Sequence, residues 1–181
     1  VVERQSPDHV LGRIRAGVLE TVTTGLMHEL GIDQRLNAEG MVEGGFNLAT
    51  HDDVIRIDIE ALTGRHVIVY GQTEITRDLM EAAPDRGLAV IYEAANVALH
   101  GIESRHPWVT YEKGGKVERI DAGFIVGCDG FHGAARRAIP AGAAREFERI
   151  YPFGWLGILA DVPPCHPELI YANGDRGFAL A

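Results

Sequence analysis

Cysteine is scarce in this 181-residue chain: Cys128 and Cys165 are the only two. That is too few for a disulfide-built secreted scaffold, and neither has a partner at metal-ligand spacing. No run of roughly 18 apolar residues occurs, which excludes a membrane-spanning helix. Nothing at the amino end reads as a signal peptide, and the expectation is a cytoplasmic protein. Basic charge is also short, with 17 Lys and Arg against 26 Asp and Glu and a net charge of -9. A surface that tracks a nucleic-acid backbone needs the opposite balance, so any anionic ligand must be met locally. The eight histidines are dispersed, which argues against a metal site. A Gly-x-Ser-x-Gly elbow is missing, and with it the support for a nucleophilic triad. What is present, 46% hydrophobic and 24% charged residues, is the composition of a globular domain with a sizeable core. The chain opens on Val1-Val2-Glu3-Arg4 and closes on Phe178-Ala179-Leu180-Ala181, both strand-like. The expectation is an internal piece of a longer protein.

The pattern along the chain is α/β. Ser6 followed by Pro7 starts a short helix that Gly12 stops. From Gly17 to Leu30, Val18, Val22 and Leu26 recur four apart with Leu19, Met27 and Leu30, predicting an amphipathic helix whose apolar stripe enters the core. Gly44 to Glu60 alternates and predicts a half-exposed hairpin. Val67 to Tyr70 reads as a strand and Thr73 to Ala83 as a helix. The middle is a β-meander over Leu88–Tyr92, Ala95–His100, Trp108–Glu112 and Val117–Ala122, with a tight turn at Lys113–Lys116. Phe124 to Gly127 reads as a buried strand running into Cys128-Asp129-Gly130, followed by a basic helix over Phe131–Ile139. Strand patterns return at Ile150–Asp161, Glu168–Asn173 and Phe178–Ala181, the start of a second sheet.

Chemistry-bearing residues gather in a few places. Glu3, directly after a strand, stands where a dinucleotide-binding βαβ unit puts the carboxylate that accepts from ribose hydroxyls, although a lone acid at a strand end is as readily a solvated one. The Gly-x-Gly-x-x-Gly loop expected about 20 residues upstream is outside the chain. Gly12-Arg13-Ile14-Arg15-Ala16-Gly17 carries two guanidinium forks between glycines, suited to a phosphate or to solvent. Cys128-Asp129-Gly130-Phe131-His132-Gly133 lies at a strand end, where α/β sheets bind ligands, with Arg136 and Arg137 a turn later. Each member also has a structural reading: Cys128 as a small core residue, Asp129 as a helix cap, His132 as a surface residue. Trp155 and Tyr171 sit in apolar strips that serve either as core or as the walls of an aromatic-ligand cavity.

Five stretches, Glu3–Asp8, Gly12–Glu20, Tyr70–Glu74, Gly127–Gly133 and Tyr151–Gly157, together resemble the single-component FAD-dependent aromatic hydroxylases, specifically their 4-hydroxybenzoate-hydroxylating branch. The resemblance runs in order from Glu3 to Leu180. It implies an α/β fold: a partial FAD/NAD(P)-binding, Rossmann-like domain with a β-meander over residues 1–150, and the start of a β-sheet substrate domain over 151–181, with the 44–66 hairpin open to joining the substrate layer. It implies an enzyme that takes hydride from NADPH, forms a flavin hydroperoxide with O₂, and converts 4-hydroxybenzoate to 3,4-dihydroxybenzoate. By motif match, Glu3 binds the FAD ribose, Arg15 and Gln72 contact FAD, and Asp129 with Gly130 supports the phosphates. Arg4, Gln5, Arg13, His132 and Arg136 form the NADPH side. Tyr171 hydrogen-bonds the substrate phenol and helps ionise it, with Trp155, Leu169, Leu180 and Val18 around the ring. The segments near Arg15 and Asp129 are expected to converge on the coenzyme. The family is usually dimeric, and an isolated piece is expected to be inactive.

Two positions depart from the family pattern. His9 stands where well-known members carry an aromatic residue in the cofactor-selecting segment, which leaves NADH as an alternative to NADPH. Glu43 aligns with the proton-relay histidine. The substrate-carboxylate ligands lie beyond Ala181, so a different hydroxylated aromatic acid is the second enzyme reading, and a non-catalytic nucleotide-binding domain the third.

Overall fold

A computed structural model describes residues 1–13, 15, 17–158 and 160–181 of the protein. Along the chain run α1 (Pro7–Leu11), β1 (Val18–Leu19), α2 (Thr21–Glu29), α3 (Gln34–Glu39), β2 (Met41–Glu43), β3 (Gly45–Ala49) and β4 (Val54–Asp58). These are followed by α4 (Ile59–Thr63), β5 (Val67–Val69), α5 (Gln72–Asp85), β6 (Ala95–His100), β7 (Trp108–Lys113) and β8 (Lys116–Asp121). The last elements are α6 (Ala134–Arg137), β9 (Leu169–Gly174) and β10 (Gly177–Leu180). They form two compact units interleaved in sequence: Val1–Val10 with Ala89–Gly157, and Leu11–Leu88 with Ile158–Ala181.

In the first unit, β6, β7 and β8 form the expected antiparallel meander. Cross-strand pairing stacks His100 on Trp108 at 5.2 Å between centroids, and the Arg119 guanidinium lies 4.6 Å over the same indole. Tyr111 and Ala94 are buried. Ser6 caps α1 by accepting the His9 N–H at 3.2 Å, as the Ser-Pro start predicts.

The second unit has two sheets. Strands β1, β5 and β2 pair antiparallel, with β5 central. Strands β10, β9, β3 and β4 form the other, in which β9 runs parallel to β3 and the remaining pairs are antiparallel. The 45–58 hairpin therefore shares its sheet with the strands that carry Leu169, Tyr171 and Leu180. Met27 from α2, Leu36 from α3 and Tyr70 after β5 make the buried core, with Leu19, Ile68 and Ile75 packed on it. Asp58 ends β4 and caps α4 by accepting the Ala61 N–H at 2.8 Å.

Several elements differ from the sequence pattern. The helix expected over Gly17–Leu30 is a strand followed by a helix: Val18 pairs with Val69, and α2 begins only at Thr21. This shift turns Val18, Val22 and Leu26 outward, with Val22 79% and Leu26 54% exposed, while Met27 of the same predicted stripe is buried and Leu19 packs against it. Four-residue spacing marks a helix face, but tertiary pairing decides which face is inside. Phe124–Gly127 is not a strand, and Phe124 and Val126 are exposed. A strand exists through its ladder partner, and none of the described strands offers these residues one. The same holds for Ile150–Asp161, of which Leu159 lies outside the described residues along with Ile14 and Ala16. The basic helix over Phe131–Ile139 shortens to α6, and the strand at Leu88–Tyr92 reduces to a parallel bridge between Val2 and Ile91. Elements α3, α4 and β2 were not legible in the pattern.

The buried face of α2 can be checked by urea unfolding. Met27→Ala is expected to cost about 2–5 kcal/mol, and Val22→Ala less than about 0.5 kcal/mol. Equal losses would return Val22 to the core.

Candidate functional site

Glu3 follows the Val2 bridge, and its backbone is tied to the neighbouring segment by Glu3 N–H to Ile91 O at 2.8 Å and Ala94 N–H to Glu3 O at 3.0 Å. Its Oε1 accepts the Gln5 N–H at 2.7 Å, which folds the carboxylate back over the turn and leaves Oε2 for an external donor. Arg4 is exposed beside it, and His9 is exposed on α1.

The 127–139 segment is built around one carboxylate. Asp129 Oδ2 accepts the Ala135 N–H at 2.9 Å, closing a loop over the start of α6. A Cβ at Gly133 would stand 2.0 Å from the Asp129 carboxyl carbon, so only glycine lets the loop close this tightly. Gly130, at φ +73°, makes the turn. Arg136 lies 4.4 Å over the Phe131 ring and pairs with Glu146 at 3.2 Å, and Phe131 meets His132 edge-on at 5.0 Å. Asp129, Gly130 and Arg136 form the polar rim of a cavity of about 730 Å³ whose apolar wall includes Leu99, Ile102 and Phe124. Trp155 belongs to this unit and is 76% exposed.

In the second unit, Arg13 and Arg15 are exposed and form no ion pair among the described residues. The segment they lead into is pinned at Gly17. Its carbonyl accepts the Tyr70 N–H at 2.8 Å, and a Cβ on it would stand 2.1 Å from the Tyr70 carbonyl oxygen and 2.7 Å from Gly71 Cα. This contact brings Gly17 and Val18 to the first turn of α5, where Gln72 sits. Gly71 precedes that helix without a side-chain cap, its carbonyl accepts the Glu74 N–H at 2.9 Å, and the Gln72 and Thr73 N–H groups have no intrahelical acceptor. Exposed guanidinium groups, a carboxamide and helix-start amides are the donor types that a diphosphate-bearing coenzyme takes.

The four-stranded sheet places Tyr171 between Phe46, edge-on at 5.3 Å, and Phe178 at 6.2 Å. Leu180 lies opposite Tyr171 in the register, and Leu169 lies opposite Phe46. Glu43 closes β2 opposite Val67.

Two polar clusters escaped sequence reasoning because their members are far apart in the chain. Arg56 forks onto both oxygens of Glu168, Nε to Oε2 at 2.8 Å and Nη2 to Oε1 at 2.7 Å, and reaches Asp58 at 2.6 Å. The Arg56 hydrogen bonds hold the Glu168 carboxyl below its ordinary value. Asp58 is held low first by the Ala61 N–H and then by Arg56. The second cluster joins Arg35 to Asp78 and Glu74, with the Tyr70 hydroxyl donating to Asp78 at 2.7 Å. Among the described residues, no group of His, Cys, Asp and Glu could hold a metal and no helix is long and apolar enough to cross a membrane.

A carboxylate whose folded pKa is depressed stabilises the fold above its unfolded value and loses that contribution as pH falls. Unfolding stability should therefore decline as pH drops below the ordinary Glu168 value of 4.5, and Glu168→Gln should flatten that decline. An unchanged acid limb would dismiss the Arg56 clamp.

A p-hydroxybenzoate hydroxylase of Acinetobacter baylyi is 47% identical over 181 residues, covering 99% of this chain and 45% of the relative. The chain thus spans about half the length of that relative. Three solved structures share the fold, each aligned over 68% of this chain. A p-nitrophenol 4-monooxygenase from Pseudomonas putida has TM-score 0.55 and 11% identity, with 32% of its own chain covered. A flavoprotein/dehydrogenase from Cytophaga hutchinsonii has TM-score 0.53 and 18% identity, with 31% of its chain covered. The flavin-dependent halogenase CmlS has TM-score 0.53 and 20% identity, with 23% of its chain covered. The FAD binding domain model matches residues 1–181, and the chain belongs to that family.

Proposed function

We propose that the protein carrying this chain is an FAD-dependent monooxygenase that hydroxylates 4-hydroxybenzoate to 3,4-dihydroxybenzoate with NADPH and O₂. The observation that carries the reading is the 47% identity to a p-hydroxybenzoate hydroxylase along the whole chain. It is supported by the close backbone contact of Gly17 with Tyr70 and Gly71, directly ahead of Gln72. FAD, when bound, supplies the activation of O₂ at the expense of the NADPH hydride.

The chain's own residues divide the remaining work. Arg15 and Gln72 hold the coenzyme, and Glu3 accepts from its ribose through the oxygen left outside the turn. Asp129 and Gly130 shape the loop that faces the phosphates, and Arg4, Gln5, Arg13, His132 and Arg136 form the NADPH side. Val18, Trp155, Leu169 and Leu180 surround the substrate ring. Tyr171 donates to the substrate phenol oxygen and favours its ionised form, a stronger nucleophile towards an electrophilic oxygen than the neutral phenol. Residues 1–150 then belong to the coenzyme-binding part and 151–181 open the substrate part. The enzyme acts as a cytoplasmic homodimer.

The test is made in the complete protein. Tyr171→Phe should slow hydroxylation at least about tenfold while changing the affinity for 4-hydroxybenzoate by less than about threefold. Equal turnover would remove the role. Arg15→Gln should lose FAD during purification, and a fully yellow mutant would remove that assignment. Identification of 3,4-dihydroxybenzoate as product separates this substrate from other hydroxylated aromatic acids.

A further inference from the structure

We propose that Tyr70 is a positioning residue for the coenzyme site: its hydroxyl, held by Asp78, anchors the backbone junction at which Gly17 meets the first turn of α5. The inference rests on the flavin reading above and extends it to residues that touch no ligand.

Three elements meet at Tyr70. Its N–H binds the Gly17 carbonyl at 2.8 Å, and the next two residues, Gly71 and Gln72, begin α5. Its ring is 3% exposed, in the core with Met27 and Leu36. Its hydroxyl reaches Asp78 Oδ2 at 2.7 Å, on the second turn of α5. The other Asp78 oxygen accepts from Arg35 of α3, whose second nitrogen binds Glu74 in the first turn of α5 at 2.7 Å. Ring, backbone and hydroxyl thus tie α3, α5 and β1 to one side chain. Burial first, and then the Asp78 carboxylate, push the phenol well above its ordinary range, so it remains a donor.

Packing alone does not require the hydroxyl, since phenylalanine fills the same space. Without it, Asp78, whose side chain is 8% exposed, keeps Arg35 but loses the donor to its second oxygen. The carboxylate would turn towards other donors, and the Gly71–Gln72 junction would lose its side-chain tie. A misplacement there moves the Gln72 carboxamide and the adjoining amides relative to Arg15.

The experiment titrates FAD into the complete apoprotein and follows quenching of flavin fluorescence. Tyr70→Phe should raise the FAD Kd about tenfold, the worth of one hydrogen bond transmitted to the site. Leu36→Val trims the same core but keeps the hydroxyl and both Asp78 oxygens, and should stay within about threefold of wild type. That control separates the hydroxyl anchor from a general weakening of the core, which would affect both variants alike. A Tyr70→Phe protein with wild-type Kd, or a Leu36→Val protein as weak as Tyr70→Phe, overturns the proposal. If wild type binds FAD and Arg15→Gln weakens it, the flavin reading survives that result. If wild type takes up no FAD, both fall together.

Discussion

The backbone contact between Gly17 and Tyr70 is the constraint on which the second unit depends. One N–H to carbonyl bond of 2.8 Å joins two segments about fifty residues apart, and no side chain fits between them. It keeps residues 17–19 extended, lets β1 pair with β5 and delays the start of α2 to Thr21. It also sets Gly17 beside the start of α5. Geometry of this kind matters for a coenzyme site because guanidinium forks and helix amides discriminate phosphates only when their directions are set in advance.

Charge is arranged on the same principle. The chain carries a net charge of -9, yet Arg13 and Arg15 have no acidic partner among the described residues, while Arg35 and Arg56 are saturated with carboxylates. Arginines that fasten elements together are neutralised; Arg13 and Arg15, proposed to meet a ligand, are not. Exposed single ion pairs contribute little, and the forked Arg56–Glu168 pair derives its value from geometry: it joins β4 to the residue that enters β9. Through β9 it aligns Leu169 and Tyr171 against Phe46 and Leu48.

Two tyrosines illustrate how environment assigns a task to one side chain type. Tyr70 is enclosed, faces a carboxylate and is confined to donating. Tyr171 stands half-buried on a sheet face between aromatic rings, with its polar tip suited to a ligand in the proposed reaction. Nothing in the residue type distinguishes them; the neighbours supplied by the fold do.

Much of the fold is legible in the sequence. The meander, the 45–58 hairpin, α1 with its Ser6 cap and α5 followed from period, turn residues and capping chemistry, all of which act within a few residues. The family followed from ordered short motifs. Illegible were the strand at Val18, the exposure of Val22 and Leu26, the irregular course of Phe124–Gly127, and both arginine clusters. Each depends on a partner distant in sequence: Val69 for Val18, a missing ladder for Phe124, Glu168 for Arg56 and Asp78 for Arg35. Local patterns determine what a segment is able to become, since backbone sterics and side-chain periodicity operate over one or two turns. Which face is buried and which cation is left without a counter-charge are decided by contacts between segments, and these exist only once the chain has folded.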